Sequence, residues 1–190
     1  MLHTGTEKSA WASFYEGREG EGYLAYAKER YKPFIGAINQ RILPGDMVLE
    51  IGCGTGTITK ALHDTRRLMA VSYWASDIDP QMVKISHKRF ELTPCAAFHL
   101  DAVNPRTDVE PNVVHSHGML EHFDDDTIRQ VIHNFRHARV QVHYVPGLYD
   151  EPTFGAERLL SVEQWEDICA PDQIIKFNDG LDYALVFERG

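Results

Sequence analysis

Cysteine is scarce: the 190 residues hold three, Cys53, Cys95 and Cys169, an odd number set far apart. That pattern excludes a disulfide framework and offers no CxxC pair for a metal or dithiol centre, so a reducing, cytoplasmic setting is expected. Long apolar runs are missing too. Nothing approaches the roughly 20 consecutive apolar residues of a membrane-spanning helix, and no basic segment followed by an apolar one opens the chain. Neither export nor membrane insertion is expected. Positive charge is in deficit, with 19 Lys and Arg against 28 Asp and Glu and a formal charge of -9. Such a balance repels a phosphate backbone at long range, which makes nucleic acid a disfavoured partner. Repeats and low-complexity tracts are absent.

What the chain does have is ordinary globular composition, 43% hydrophobic and 25% charged, and a regular alternation of segments. The apolar run Met47 to Ile51 reads as a buried strand, and helix Thr57 to His63 follows it. Strand Met69 to Ala75, helix Pro80 to Phe90 and strand Ala97 to Leu100 come next. A short link leads to strand Asn112 to Ser116, helix Asp125 to His137 and strand Arg139 to Val145. This rhythm implies βαβ units. Helix Ser161 to Cys169 then precedes strands Gln173 to Phe177 and Tyr183 to Glu188, split by Asn178-Asp179-Gly180, a hairpin signal. The expected fold is α/β: a doubly wound, mostly parallel seven-stranded sheet with a C-terminal antiparallel hairpin and helices on both faces.

Ahead of this unit, Leu24, Ala27, Tyr31, Phe34, Ile38 and Ile42 recur at three- and four-residue spacings. They predict two helices, with Pro33 in the first turn of the second, where its missing N–H costs little. Residues 1–42 thus read as an N-terminal helical appendage and 43–190 as the main domain of a single structural unit. The aromatics Trp11, Phe14, Tyr15, Tyr23, Tyr26 and Tyr31 either form a lid over a ligand or pack on the sheet.

The densest signal is Glu50-Ile51-Gly52-Cys53-Gly54-Thr55-Gly56, lying between the first strand and the first helix after it. Glycines let the backbone turn sharply against a ligand, and the helix N-terminus behind them presents free N–H groups. A dinucleotide loop would read GxGxxG. Here the spacing is GxGxG and Glu50 stands beside it, a carboxylate that repels pyrophosphate but can order the loop and attract an ammonium or sulfonium. Residues 48–56, VLEIGCGTG, resemble motif I of the class I S-adenosylmethionine (SAM)-dependent methyltransferases, and the resemblance continues to about Pro146. It implies SAM as cofactor, residues 43–190 as the SAM-binding domain, and Gly52, Cys53, Gly54 and Gly56 around the methionine part.

About 20 residues past the glycines, a doubly wound fold places the carboxylate that holds an adenosine ribose. Asp77 stands there. Asp79 is its rival, but before Pro80 it reads better as a helix cap. Ile78 and Met82 either flank the adenine or belong to the core. Asp101 and Ala102 resemble the segment that binds adenine through a carboxylate and a backbone N–H, although a turn-forming Asp reads the same way.

The segment Asn112 to Phe123, NVVHSHGMLEHF, resembles the fourth-strand region of small-molecule members, and because ligands in open α/β sheets lie beyond the strands' carboxyl ends, Ser116, His117 and Gly118 are expected to face the methionine half of SAM, with Glu121 and His122 on a turn near the same rim. His117 and His122 are the candidate general bases, or else structural histidines. No (N/D/S)PP(Y/F/W) and no Pro-Cys nucleophile follows that strand, so base-modifying subclasses lose ground. Tyr144, Tyr149 and Phe154 make a second candidate acceptor wall. His133 and His137, four apart on a helix, lack a third ligand, so no metal is expected. The function implied is methyl transfer to an O or N atom of a small-molecule acceptor. A protein or RNA-modification methyltransferase, or a SAM-binding module without transferase activity, are the alternatives.

Overall fold

The structure is a computed structural model that describes residues 9–18, 20–65, 70–91, 95–105 and 109–189. Three helices open it: α1 (Ala10–Phe14), α2 (Glu21–Arg30) and α3 (Lys32–Asn39). The sequence predicts two of them. The short α1 has no apolar period to reveal it; it is held by its Ser9 cap, whose side chain accepts the Ala12 N–H. Pro33 lies in the first turn of α3, as expected.

The sheet is built from β1 (Met47–Ile51), β2 (Ser72–Asp77), β3 (Cys95–His99), β4 (Val113–His117), β5 (Val140–Pro146), β6 (Gln173–Phe177) and β7 (Asp182–Glu188). Its order is β3-β2-β1-β4-β5-β7-β6. The first five strands run parallel, and β7 joins β5 and β6 antiparallel. This is the seven-stranded doubly wound arrangement with its terminal hairpin.

Four further helices connect the strands: α4 (Thr57–Thr65), α5 (Pro80–Phe90), α6 (Asp125–Asn134) and α7 (Val162–Cys169). Side chains alternate across each strand, so β1 sends Val48 to one face and Leu49 and Ile51 to the other. Val48 joins Phe34, Ile38, Ile58 and Leu62 in a core beneath α2, α3 and α4. Leu49 and Ile51 join Leu120, Ile128, Val131 and Trp165 beneath α6 and α7. Phe90 of α5 packs on Ala75 and Ala97, at the β2–β3 side of the sheet.

Several boundaries differ from the sequence reading. Strand β2 runs from Ser72 to Asp77 rather than from Met69 to Ala75, and Met69 lies outside the described residues. Its polar end stays in the ladder because Ser76 and Asp77 pair with Phe98 and His99 of β3. Strand β3, by contrast, begins earlier than expected, at Cys95, and ends at His99. Helix α6 stops at Asn134 rather than His137, because Phe135 turns into the core to carry the chain back to β5. Among the described residues no helix is long and apolar enough to cross a membrane.

Candidate active site

The carboxyl ends of β1, β2 and β4 form one rim, and the glycine loop lies on it. Gly52, Gly54 and Gly56 have φ of +65°, +51° and +69°, a left-handed conformation that side chains resist. There is also no room for a side chain: a Cβ on Gly56 would meet the Phe90 ring at 2.6 Å, and one on Gly52 would meet Met119 Sδ at 2.6 Å. The loop is pinned from three sides. The Cys53 N–H donates to Ser76 O at 2.9 Å, the Gly54 N–H donates to Asp77 Oδ2 at 2.9 Å, and Ser86 Oγ donates to Gly54 O at 2.9 Å.

Glu50 is buried and turned toward α4, where its carboxylate accepts from Thr59 N–H at 3.0 Å and Thr59 Oγ1 at 2.5 Å. Burial pushes its pKa up to about 8. It orders the start of the helix behind the loop and does not line the cavity in front of it.

That cavity encloses about 230 Å³ and is walled by Gly52, Gly54, Asp77, Ile78, Met82 and Asp101, with Ala102, Gly118 and His122 completing it. Asp77 Oδ1 accepts the Asp79 N–H at 2.9 Å. Burial raises the Asp77 pKa against these two hydrogen bonds. Asp79 caps α5 by accepting the Gln81 N–H at 2.8 Å. Ile78 is 59% exposed while Met82 is 1% exposed, so Ile78 is the apolar side chain free to meet a ligand and Met82 is also core. Asp101 closes a turn on the Val103 N–H at 2.9 Å, at the cavity edge.

A second chamber of about 390 Å³ adjoins the first. Trp11, Tyr15, Gly118 and His122 line both. The Trp11 and His122 rings meet edge to face at 5.2 Å, and a Cβ on Gly54 would lie 3.1 Å from the Tyr15 ring. Helix α1 therefore lies across the glycine loop. All six N-terminal aromatics singled out in the sequence line this chamber, as do Tyr144, Tyr149 and Phe154.

His117 belongs to the chamber, not to the smaller cavity. Its ring stacks on Tyr144 at 4.5 Å and meets Tyr31 edge-on at 4.1 Å. Burial pulls its pKa down to about 4, so the imidazole is neutral at physiological pH. His122 is also pulled down by burial, with Glu157 opposing. Ser116 turns away and bonds His143 Nδ1 at 2.8 Å. Cys53 and Gly56, like Glu50, hold the loop from behind.

Sequence reasoning placed Glu121 on a turn near the rim without giving it a role, and missed Asp182. Glu121, 1% exposed, lines the chamber with Oε2 lacking a hydrogen-bond partner, and burial pushes its pKa up to about 8. Asp182, fully buried, gathers Tyr144 Oη at 2.9 Å, Tyr149 Oη at 2.6 Å and Arg30 at 2.9 Å, tying α2, β5 and β7 below the chamber. No short-range pattern signals either. Only the proximity of Glu121 to His117 and His122 hinted at the first. Among the described residues no group of three His, Cys, Asp or Glu could hold a metal.

Residues 48–139 match the sequence family of a methyltransferase domain. No curated protein matches the chain. Among solved structures, a protein from Pyrococcus horikoshii shares 13% identity, with 94% of this chain and 99% of that one covered and a TM-score of 0.73. A SAM-dependent methyltransferase from Clostridium acetobutylicum shares 13% identity over 96% of this chain and 100% of the other, at a TM-score of 0.67. The pyocyanin biosynthetic protein PhzM shares 14% identity over 96% of this chain, at a TM-score of 0.68. This chain spans 62% of that protein. The glycine loop on its strand, the sheet order and the family match agree: residues 48–139 match a methyltransferase domain, set in the fold that SAM-dependent methyltransferases share.

Proposed function

We propose that the protein transfers the methyl group of SAM to an oxygen or nitrogen of a small-molecule acceptor. The observation that carries this reading is the pair of cavities with a common wall at Trp11, Tyr15, Gly118 and His122. One has the lining that suits adenosine, the other is an aromatic chamber of about 390 Å³, the size of a small molecule rather than of a peptide groove. The fold likeness to a pyocyanin biosynthetic protein is in keeping with such an acceptor.

SAM, when bound, supplies an electrophilic methyl group on a sulfonium. The chain's own residues position it and its partner. Gly52 and Gly54 leave the backbone bare for the methionine part. Asp77 offers carboxylate oxygens to the ribose hydroxyls, and Asp101 and Ala102 stand where the adenine edge would lie, beside Ile78. Glu50, Cys53 and Gly56 act indirectly, by fixing the loop. Residues 1–42 act as the roof of the acceptor chamber, with 43–190 as the SAM-binding domain. Closing the chamber excludes water and aligns the acceptor, which is most of what an in-line transfer needs. His122, on the common wall, is placed to take the proton of a hydroxyl acceptor. His117, deeper and neutral, orients the acceptor.

Calorimetry with SAM and with NAD tests the first half. Binding of SAM without NAD is expected, and Asp77→Ala should weaken SAM by about 1 to 3 kcal/mol, roughly five- to 150-fold. NAD binding in place of SAM, or an affinity unmoved by Asp77→Ala, would sink the assignment. A methyl-release screen over small acceptors tests the second half.

A further inference from the structure

Glu121 is a buried carboxylate on the chamber wall whose position the fold alone does not explain. It sits in the turn Leu120–His122, 1% exposed, and lines the chamber with one carboxylate oxygen unpartnered. Burying a carboxylate oxygen without a partner costs free energy, and the backbone hydrogen bond within the turn offsets only part of it. Gly118 is its neighbour across the turn: a Cβ there would lie 3.4 Å from Glu121 Oε1, an ordinary contact.

The charges around it are asymmetric. Two arginines line the chamber, and both are engaged: the Arg18 guanidinium lies 3.9 Å from the centre of the Phe14 ring, and Arg30 bonds Asp182 at 2.9 Å and Tyr149 Oη at 2.7 Å. Glu157 adds a second carboxylate, which accepts the Thr153 N–H. Among the described residues neither Glu121 nor Glu157 is met by a cationic side chain, while Arg18 faces a ring and no carboxylate. The chamber walls are aromatic faces, Trp11, Phe14, Tyr31 and Phe154 among them, and such faces attract a cation. His117 adds a second buried atom, Nε2, without a partner.

We propose that the acceptor is a primary or secondary amine on a flat apolar frame, held at its nitrogen by Glu121. This rests on the methyl-transfer reading and narrows it to N-methylation. A protonated amine carries only N–H donors and no acceptor, matching a carboxylate with open lone pairs. A carboxylate-bearing ligand would face Glu121 and Glu157 with like charge.

The step balances. A primary ammonium gives one proton to the Glu121 carboxylate and becomes a neutral amine. Its nitrogen lone pair forms the N–CH₃ bond as the S–CH₃ bond breaks, and those electrons stay on sulfur as the neutral thioether. The product leaves as a methylammonium ion, and the proton on Glu121 passes to solvent.

Three ligands of one frame test this on protein loaded with S-adenosylhomocysteine: tryptamine, tryptophol and indole-3-propionate. Tryptamine should bind about ten- to a hundredfold tighter than the alcohol, and the acid weakest. Glu121→Gln should remove the tryptamine advantage while leaving S-adenosylhomocysteine affinity unchanged. If that variant does not fold, the ranking on the unaltered protein decides. The amine class is overturned by an alcohol or acid that binds as tightly, by no tryptamine binding at millimolar concentration, or by a preference unchanged in Glu121→Gln. S-adenosylhomocysteine failing to bind overturns the reading beneath it instead.

Discussion

His115 and His117 on β4 and His143 on β5 bring three imidazoles onto neighbouring strands. His115 has no hydrogen-bond partner at either nitrogen, whereas His143 is held between Ser116 and Gln141. Burial pulls their pKa values down to about 3, 4 and 3 from an ordinary 6.5. The folded chain thus refuses protons that the unfolded chain takes. Their contribution is full above pH 6.5 and is lost as pH falls toward 3. Each adds up to about 1.4 kcal/mol per pH unit to that loss. Replacing His115 by Leu should leave stability at pH 7 nearly unchanged and flatten the slope between pH 6 and 4 by about that amount. Urea unfolding across this range is the measurement, and an unaltered slope would contradict the burial of a neutral ring. Glu50 and Glu121 act in the opposite sense. Their folded pKa values, raised to about 8 from 4.5, make stability fall as pH rises through that interval. At this scale the sequence told much about backbone and little about burial. Asp79 reads as a cap from its place before Pro80, and the structure agrees. Glu121 reads as one more acid in a turn, because its isolation from solvent is made by residues more than 20 positions away.

Among the elements, the unit from β1 through α4 was the most legible, because an apolar run, bare glycines and a helix start coincide there. Helix α5 matched at both ends, Pro80 and Phe90, since Asp79-Pro80 fixes its start. The strands slipped by about two residues where polar side chains lie inside the ladder, as at Ser76 and Asp77. Helix α1 was illegible: five residues cannot show a period, and its position comes from Trp11 and Tyr15 packing over the loop. The loop itself is the element least tolerant of change. Gly56→Ala places a Cβ at 2.6 Å from the Phe90 ring on a backbone with φ of +69°. The expected cost is about 1 to 3 kcal/mol, or roughly 2 to 10 °C in melting temperature for a chain this size. A calorimetric scan showing no loss would mean the loop relaxes freely, and the pinning described above would be wrong.

For the molecule as a whole, ligand binding and folding are linked, because both cavities require the native rim. Saturation with SAM at about 100 times its dissociation constant should add roughly 2.7 kcal/mol to the unfolding free energy. That corresponds to a rise of about 5 to 10 °C in melting temperature. Thermal denaturation with and without SAM checks it, and superimposable curves would argue against binding to the folded chain. The doubly wound layout and the closing hairpin were readable from the alternation of segments. The place of β7 between β5 and β6 was not, since a hairpin signal says that two strands pair and not which of them meets the rest of the sheet.

That placement bears on how the protein is made. The strand over residues 182–188 lies inside the sheet and all but its last two residues are buried, yet it is translated after both of the strands that flank it. Until it leaves the ribosome, β5 offers an open ladder edge where β7 belongs and Asp182 is not yet there to meet Arg30 and the two tyrosines. Nascent chains should therefore linger with a sticky, half-built sheet, in need of chaperones, and a message cut short before codon 182 should yield aggregates rather than a smaller enzyme.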